Sequence, residues 1–438
     1  MVVNLTTLPD SVVPGDVGYD DAAQVLFAKG SPALVVRPSS RAEVADAVLH
    51  ARRRGLEIAV RSGGHGLLGH GTSDGGLVLD LGRLDAVNVL DMERRLVRIG
   101  GGATWGQVDQ VLRPLGWAIS SGDTAGVGVG GLTLGGGFGW LLREHGLAID
   151  NLVAARVVLA DGTLVTASRT QHPELFWALR GGGGNFGVVV DFDFVAAAVA
   201  TVHFGEITYR PFEETDLLAG WRDAMRAASA QVTSSVLLMP APGGGEPIAM
   251  VRVCVADGDA DAADRAIEPF LALGQVTRAT IEERLYGDLL EAGGTPPPGV
   301  RMVGRNTLVR ELDDATLDAV HRFRRSSPSV AVVLRSLGGA FGEVACDATA
   351  FAHREAEAMI LGMTMVPQPD LTGQEDAIVT SWAEVAAHGS GIYLNFQSSQ
   401  TPADLAAAYP PATFARLVAV KREYDPENVF ARNHNIAP

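Results

Sequence analysis

The sequence predicts an α+β protein of two domains, and three observations carry that reading. A chain of 438 residues is longer than one hydrophobic core usually spans. Its first two hundred residues hold short strands, glycine clusters and a clear β-α-β unit. Near Thr201 the glycine clusters stop and longer amphipathic stretches begin, which marks a second region.

The elements follow in order. Residues 34–37 form a strand ended by Pro38. Ser40 with Glu43 fits a capping box, opening a helix with Val44, Val48 and Leu49 on its apolar face and Arg52, Arg53 and Arg54 at its end. A return strand at 56–60 delivers the chain to Arg61, and another strand spans 76–81. A strand at 97–100 leads through Gly101, Gly102, Ala103 and Thr104, a cap, into a helix from Trp105 to Leu112, stopped near Pro114. Short strands continue to Phe194, among them 155–160, turned at Asp161-Gly162. In the second region the pattern predicts helices over 261–273, kinked at Pro269, and over 313–324. They alternate with strands at 235–239 and 331–335, and loops fall at 243–245 and 296–298. A last helix, 412–420, precedes a turn at 424–428. The chain shows no internal repeat and no low-complexity tail.

Composition narrows the function classes. With 47% hydrophobic and 20% charged residues this reads as a soluble globular chain. Its net charge of −16, with no basic stripe to offset it, argues against nucleic acid or an anionic membrane as partner. Only two of the 35 basic residues are lysine, Lys29 and Lys421, a bias that fits a GC-rich bacterial genome. Cys254 and Cys346 stand far apart and in no metal-ligand spacing; both are expected as buried thiols, and no metal is expected. Residues 1–14 lack the basic and apolar regions of a secretory signal, and no apolar run reaches membrane-spanning length. A cytoplasmic location follows by default, as a monomer or homodimer.

The chemistry concentrates in two glycine runs. Arg61-Ser62-Gly63-Gly64-His65-Gly66 follows the strand at 56–60. About sixty residues on comes a second run from Val127 to Gly139. Glycine lets backbone N–H groups approach a phosphate closely, so the pair suggests a dinucleotide lying across the chain. A Rossmann site is a poor alternative. Residues 182–187 satisfy G-x-G-x-x-G literally, yet a helical stretch (173–179) precedes them and a strand (188–190) follows, the reverse of what that mechanism needs.

These residues resemble the berberine-bridge-enzyme-like oxidases of the vanillyl-alcohol-oxidase type. Further matches run along nearly the whole chain: Gly146-Leu147 with 150–153, 176–183, Asn185-Phe186-Gly187, 337–340, 349–354, Tyr393-Leu394-Asn395-Phe396, Tyr424-Asp425-Pro426 and Asn428-Val429-Phe430. The resemblance implies a PCMH-type FAD-binding fold over 1–198, an antiparallel-sheet substrate (cap) domain over 199–399, and a segment, 400–438, returning to the first domain. It implies an FAD-dependent oxidase that moves a hydride from a small organic substrate, an amine or a secondary-metabolite alcohol, to flavin, with dioxygen reduced to hydrogen peroxide. Two rivals remain: a flavin-dependent oxygenase, and a flavin-binding protein that has lost turnover.

The same resemblance assigns residues. His65 stands where relatives bond the flavin covalently; read alone, it is better explained as a loop histidine serving a backbone carbonyl. Thr124 stands where many relatives carry a second linking cysteine, and threonine cannot make that thioether, so a single link is expected. The cofactor set is Arg61, Ser62, Gly63, Gly64, His65, Gly66, Gly69 and His70, then Thr124, Val127, Gly128, Gly131, Leu132, Thr133, Gly135, Gly136, Gly137 and Gly139, with Val153, Asn433 and Asn435. Val127 occupies the position associated with reaction with dioxygen, or else merely fills core. Tyr393 and Asn395 are the catalytic candidates, expected on one face of a strand by alternation; cross-strand packing is the other reading of Tyr393. Sugar oxidases of the family use a tyrosine as base where this chain has Phe396. His434 replaces the usual glutamine.

Overall fold

The computed structural model describes residues 8, 10–210, 214–240, 247–256 and 259–438. The loop expected at 243–245 lies outside them. Three larger sheets organise the chain. In the first, Ser11–Val12, Leu34–Val36, Leu77–Asp80 and Ile58–Arg61 lie in that order, the last three parallel. Arg41–Arg54 is the crossover helix. Ser40 caps it, accepting from Glu43 N, but Glu43 reaches Ser39 instead of closing the expected box on Ser40. Val44, Ala47 and Val48 are buried against the sheet, and Gly55 ends the helix in the left-handed conformation that glycine adopts without strain.

The second sheet is antiparallel, ordered Leu164–Ser168, Leu152–Val158, Val188–Val195, Leu96–Gly100, Val87–Asp91. The helix Trp105–Leu112 begins at a complete capping box, Thr104 with Gln107, and passes into a 3-10 turn at Arg113–Leu115 where Pro114 intervenes. The helix Pro173–Leu179 precedes the glycine run 181–184 and the strand Val188–Val195 follows it. That is the order which excludes a Rossmann turn.

Residues 201–367 supply a seven-stranded antiparallel sheet, ordered Val276–Leu285, Thr201–Tyr209, Ile248–Val255, Val232–Met239, Ala331–Ser336, Ala358–Pro367, Val300–Val309. Alternate residues such as Val232, Val236, Val251, Val332 and Leu334 form one core with four helices, Glu214–Ala227, Ala260–Leu271, Asp314–Arg325 and Gln374–Ala386. Pro269 sits in the last turn of the second of these, where it forgoes the bond to the Arg265 carbonyl, and the helix ends two residues later at Leu271. The other face carries Arg335 and Asn306, whose partners Asp123 and Tyr393 line the cavity, and Arg252, which pairs with Glu206 and Glu291. The C-terminal helix Pro411–Tyr424 packs on Pro173–Leu179, with Leu417 and Val420 in the same core as Phe176 and Trp177.

Two expectations need correcting. Tyr393 to Phe396 is not a strand: Leu394–Phe396 is a single 3-10 turn. The Asn306 side chain takes both backbone groups of Tyr393, accepting from its N–H at 2.7 Å and donating to its carbonyl at 2.8 Å, in place of a ladder partner. Phe396 N–H then closes the turn on Tyr393 O. The thiols also differ from expectation. Cys254 is buried, but Cys346, in the turn between Ala345 and Ala348, is exposed; both are free.

Candidate active site

A cavity of about 360 Å³ is walled by the two glycine loops, residues 181–185, the 392–397 segment and 432–434. None of the seven strands of the large sheet lines it. They support it from behind instead, through Asn306 on Tyr393, Gly304 against Phe396, and Arg335 on Asp123.

The first loop is anchored by Arg61, whose guanidinium donates to Ala22 O (2.8 Å), Gln24 O (3.1 Å) and the Asp80 carboxylate (2.8 Å). Ser62 joins the loops, donating to Gly101 O at 2.7 Å and accepting from Gly130 N–H at 3.3 Å. Next to it Gly63 and Gly128 meet backbone on backbone. A Cβ on Gly63 would lie 2.3 Å from Gly128 N, and one on Gly128 would lie 2.1 Å from Gly63 N. Only glycine permits that approach.

His65 faces the cavity with its imidazole against Gly126, where an added Cβ would lie 2.9 Å from Nε2. Burial lowers its pKa below the ordinary histidine value, so the ring is neutral at pH 7 with a nitrogen lone pair available. Thr124, Val127, Leu132, Phe396 and Asn433 also line the cavity. Val127 serves the core as well, accepting from Trp105 N–H through its carbonyl and packing beside the buried cluster of the second sheet.

Tyr393 is buried, and its hydroxyl accepts from Gly137 N–H at 3.3 Å and Asn395 Nδ2 at 2.9 Å. Asn395 also donates to Gly131 O at 3.1 Å, and it comes so close to Gly135 that a Cβ there would stand 2.5 Å away. Burial pushes the Tyr393 phenol up to about 12, despite the two donors. It is a protonated phenol at neutral pH and a poor base.

Of the residues expected here, the cavity wall gathers Arg61, Ser62, Gly63, Gly64, His65, Gly66, His70, Thr124, Val127, Gly128, Gly131, Leu132, Gly135, Tyr393, Asn395 and Asn433. Seven lie off it. Val153 is 39% exposed on its strand and is not part of the wall. Thr133 is on the inner side of its helix, Gly69 packs over Ala28, and Gly136 and Gly137 sit behind Tyr393. Gly139 is pressed against Ser121 O, and Asn435 follows the last wall residue, His434. The sequence reading counted 181–183 and Asn185 among the family matches and weighed the glycines as a Rossmann match, but left the segment 181–185 out of the cofactor set, as it did Asp123. Burial alone would raise the Asp123 carboxyl, but Arg335, 2.5 Å away, overrides it and holds the group below its usual range.

The wall suits an FAD. A Cβ on Gly66, Gly131 or Gly184 would meet nothing within 4 Å, so backbone there is bare to the cavity. Asn433 Oδ1 and His434 Nδ1 are buried without a partner among the described residues, and buried polar atoms of that kind call for a ligand. His434 is held down to about 4 by burial, then by His70, whose ring meets it edge-on at 5.4 Å. It therefore presents a neutral acceptor.

Comparison with known proteins agrees. Residues 32–168 match the family model described as an FAD binding domain, and 392–437 the model described as berberine and berberine like. The chain is 34% identical to (R)-6-hydroxynicotine oxidase of Paenarthrobacter nicotinovorans, over 98% of this chain and 96% of that one. It superposes on the crystal structure of 6-hydroxy-D-nicotine oxidase from Arthrobacter nicotinovorans with a TM-score of 0.88 at 30% identity, covering 99% of each chain. Glucooligosaccharide oxidase of Acremonium strictum, described with a 6-S-cysteinyl, 8α-N1-histidyl FAD, shares the fold, with a TM-score of 0.83 at 24% identity over 98% and 97% of the two chains. The chain belongs to the berberine-bridge-enzyme-like family of FAD-linked oxidases, of the two-domain PCMH type.

Proposed function

We propose that the enzyme holds FAD through one covalent link, at His65, and oxidises a small amine, with hydrogen peroxide as the reduced product of dioxygen. In this reading residues 1–198 and 400–438 hold the cofactor and 199–399 cap it. FAD supplies the hydride acceptor and, once reduced, the reductant for dioxygen. The chain's residues decide what else is available.

The observation that carries the amine reading is the state of the groups around Tyr393. Oxidising an alcohol requires a base for its hydroxyl proton as hydride leaves. Phe396 can accept no proton, Tyr393 is held protonated, and Asp123 is held by Arg335 as a weak base. A neutral amine needs none of them, because its lone pair expels the hydride and the product is an iminium. Tyr393 and Asn395 then act by orientation: the phenol accepts from Gly137 and Asn395, which leaves its own proton to donate toward the cavity. The hydroxynicotine oxidase in this family is named for a substrate that is itself an amine. Anaerobic bleaching of flavin absorbance by matched secondary amines and alcohols tests the reading. Amines should bleach it; bleaching by the alcohols alone would overturn it.

A further inference from the structure

Of only two lysines in the chain, one is wholly buried: Lys421 and its partner Asp425 have no solvent exposure. The ammonium has three protons and meets three acceptors, Asp425 Oδ2 at 2.7 Å, Asn185 O at 2.7 Å and Phe430 O at 3.2 Å. Asp425 accepts in turn from Val429 N–H at 2.8 Å and Phe430 N–H at 2.9 Å. Arginine, planar and forked, does not direct its protons around a single point in this way. That explains a lysine here, in a chain that uses arginine almost everywhere else.

Neither Lys421 nor Asp425 lines the cavity, but the segments they join do. One holds Asn185 and the glycines before it; the other holds Phe430, Asn433 and His434. Asn185 extends the seam, donating to Gly182 O at 2.9 Å and His434 O at 3.3 Å and accepting from Ile436 N–H at 2.9 Å. The two walls lie 236 residues apart at the Lys421–Asn185 bond, so nothing local sets their spacing. A buried ion pair adds little net stability over an apolar replacement. What this one supplies is geometry.

We infer that Lys421 is a positioning residue that fastens the walls 181–187 and 428–436 together in their cofactor-accepting form before the cofactor arrives. This rests on reading the cavity as the flavin site. Preorganisation of this kind acts on cofactor affinity, because the ordering is complete beforehand.

The test is the double variant Lys421→Met/Asp425→Asn, which removes both charges and so leaves no unpaired one. It should remain folded by circular dichroism but carry roughly tenfold less flavin per chain, the lower end of what losing outer supporting hydrogen bonds costs at metal sites. Arg416→Ala is the control: it unties the same helix from Glu174 without reaching the wall, and should keep its flavin. A double variant with the wild-type flavin content overturns the inference. A wild-type chain that takes up no flavin would instead overturn the reading of the cavity. Hydrogen exchange decides the matter if the double variant does not fold. In His65→Ala protein freed of flavin, peptides covering 428–436 should exchange as slowly as in loaded wild type, and fast exchange there would refute preorganisation.

Discussion

The two sides of the cavity are built by different means. On one side the glycine loops at 61–66 and 126–131 touch backbone to backbone, and the side chains of Arg61 and Ser62 are committed to holding them. On the other, the turn carrying Tyr393 and Asn395 is held by side chains reaching in from the large sheet, chiefly Asn306. The first side makes a cradle that admits no added atom where Gly63 meets Gly128 but is open to the cavity at Gly66 and Gly131. The second sets chemistry through a few polar contacts carried by single side chains.

The largest contrast should come from two glycines three residues apart. Gly128→Ala places a methyl about where Gly63 N stands, and with backbone on both sides neither can move aside; the cost should exceed the roughly 1–3 kcal/mol usual for overpacking. Gly131→Ala meets open space and should fold normally. Melting temperature and flavin content measure both. Equal behaviour of the two variants would dissolve the distinction between a packed and an open part of the cradle.

Tyr393→Phe probes the other side. It leaves Gly137 N–H without its acceptor and Asn395 Nδ2 with Gly131 O alone, a cost of about 1–3 kcal/mol in stability. Turnover of an amine should fall by less than roughly tenfold, whereas loss of a true general base costs roughly 10²–10⁴-fold. A drop of the larger size, measured under steady-state conditions, would make Tyr393 the base after all.

A pH experiment comes next in size. His434 is neutral in the folded protein down to about pH 4, whereas an unfolded histidine protonates near 6.5. Between those values the unfolded state binds the extra proton, so stability falls as pH drops through the window, by up to about 3 kcal/mol for this one group. His434→Gln should flatten that part of the melting-temperature profile. An unchanged slope would place the acid sensitivity elsewhere. The smallest effect is expected from Val127→Ile, which lines the cavity beside the loops. It should slow reoxidation by dioxygen while leaving anaerobic reduction unchanged in stopped-flow traces.

The same contrast explains what the sequence made legible. Glycine cradles are local: Arg61 to Gly66 and the run from Val127 announce themselves because close backbone approach forbids other residues. The β-α-β unit and the capped helix at Trp105 were readable for the same reason, since each depends on neighbours in sequence. Alternation suggested a strand at Tyr393, but an asparagine 87 residues earlier satisfies its backbone and leaves a 3-10 turn. Val153 lies off the cavity wall, because which face of a strand meets a cavity is decided by the sheet around it. The wall at 181–185 was visible as glycine but not as a site, because Lys421 and Asn185 become neighbours only in the folded chain.

The most direct measurement is peptide mapping of acid-denatured protein by mass spectrometry. The account expects one flavin, carried on the tryptic peptide that begins at Ser62 and contains His65, and none retained in His65→Ala. Flavin released freely from the wild-type chain, or found attached at Thr124, Cys254 or Cys346, would contradict it.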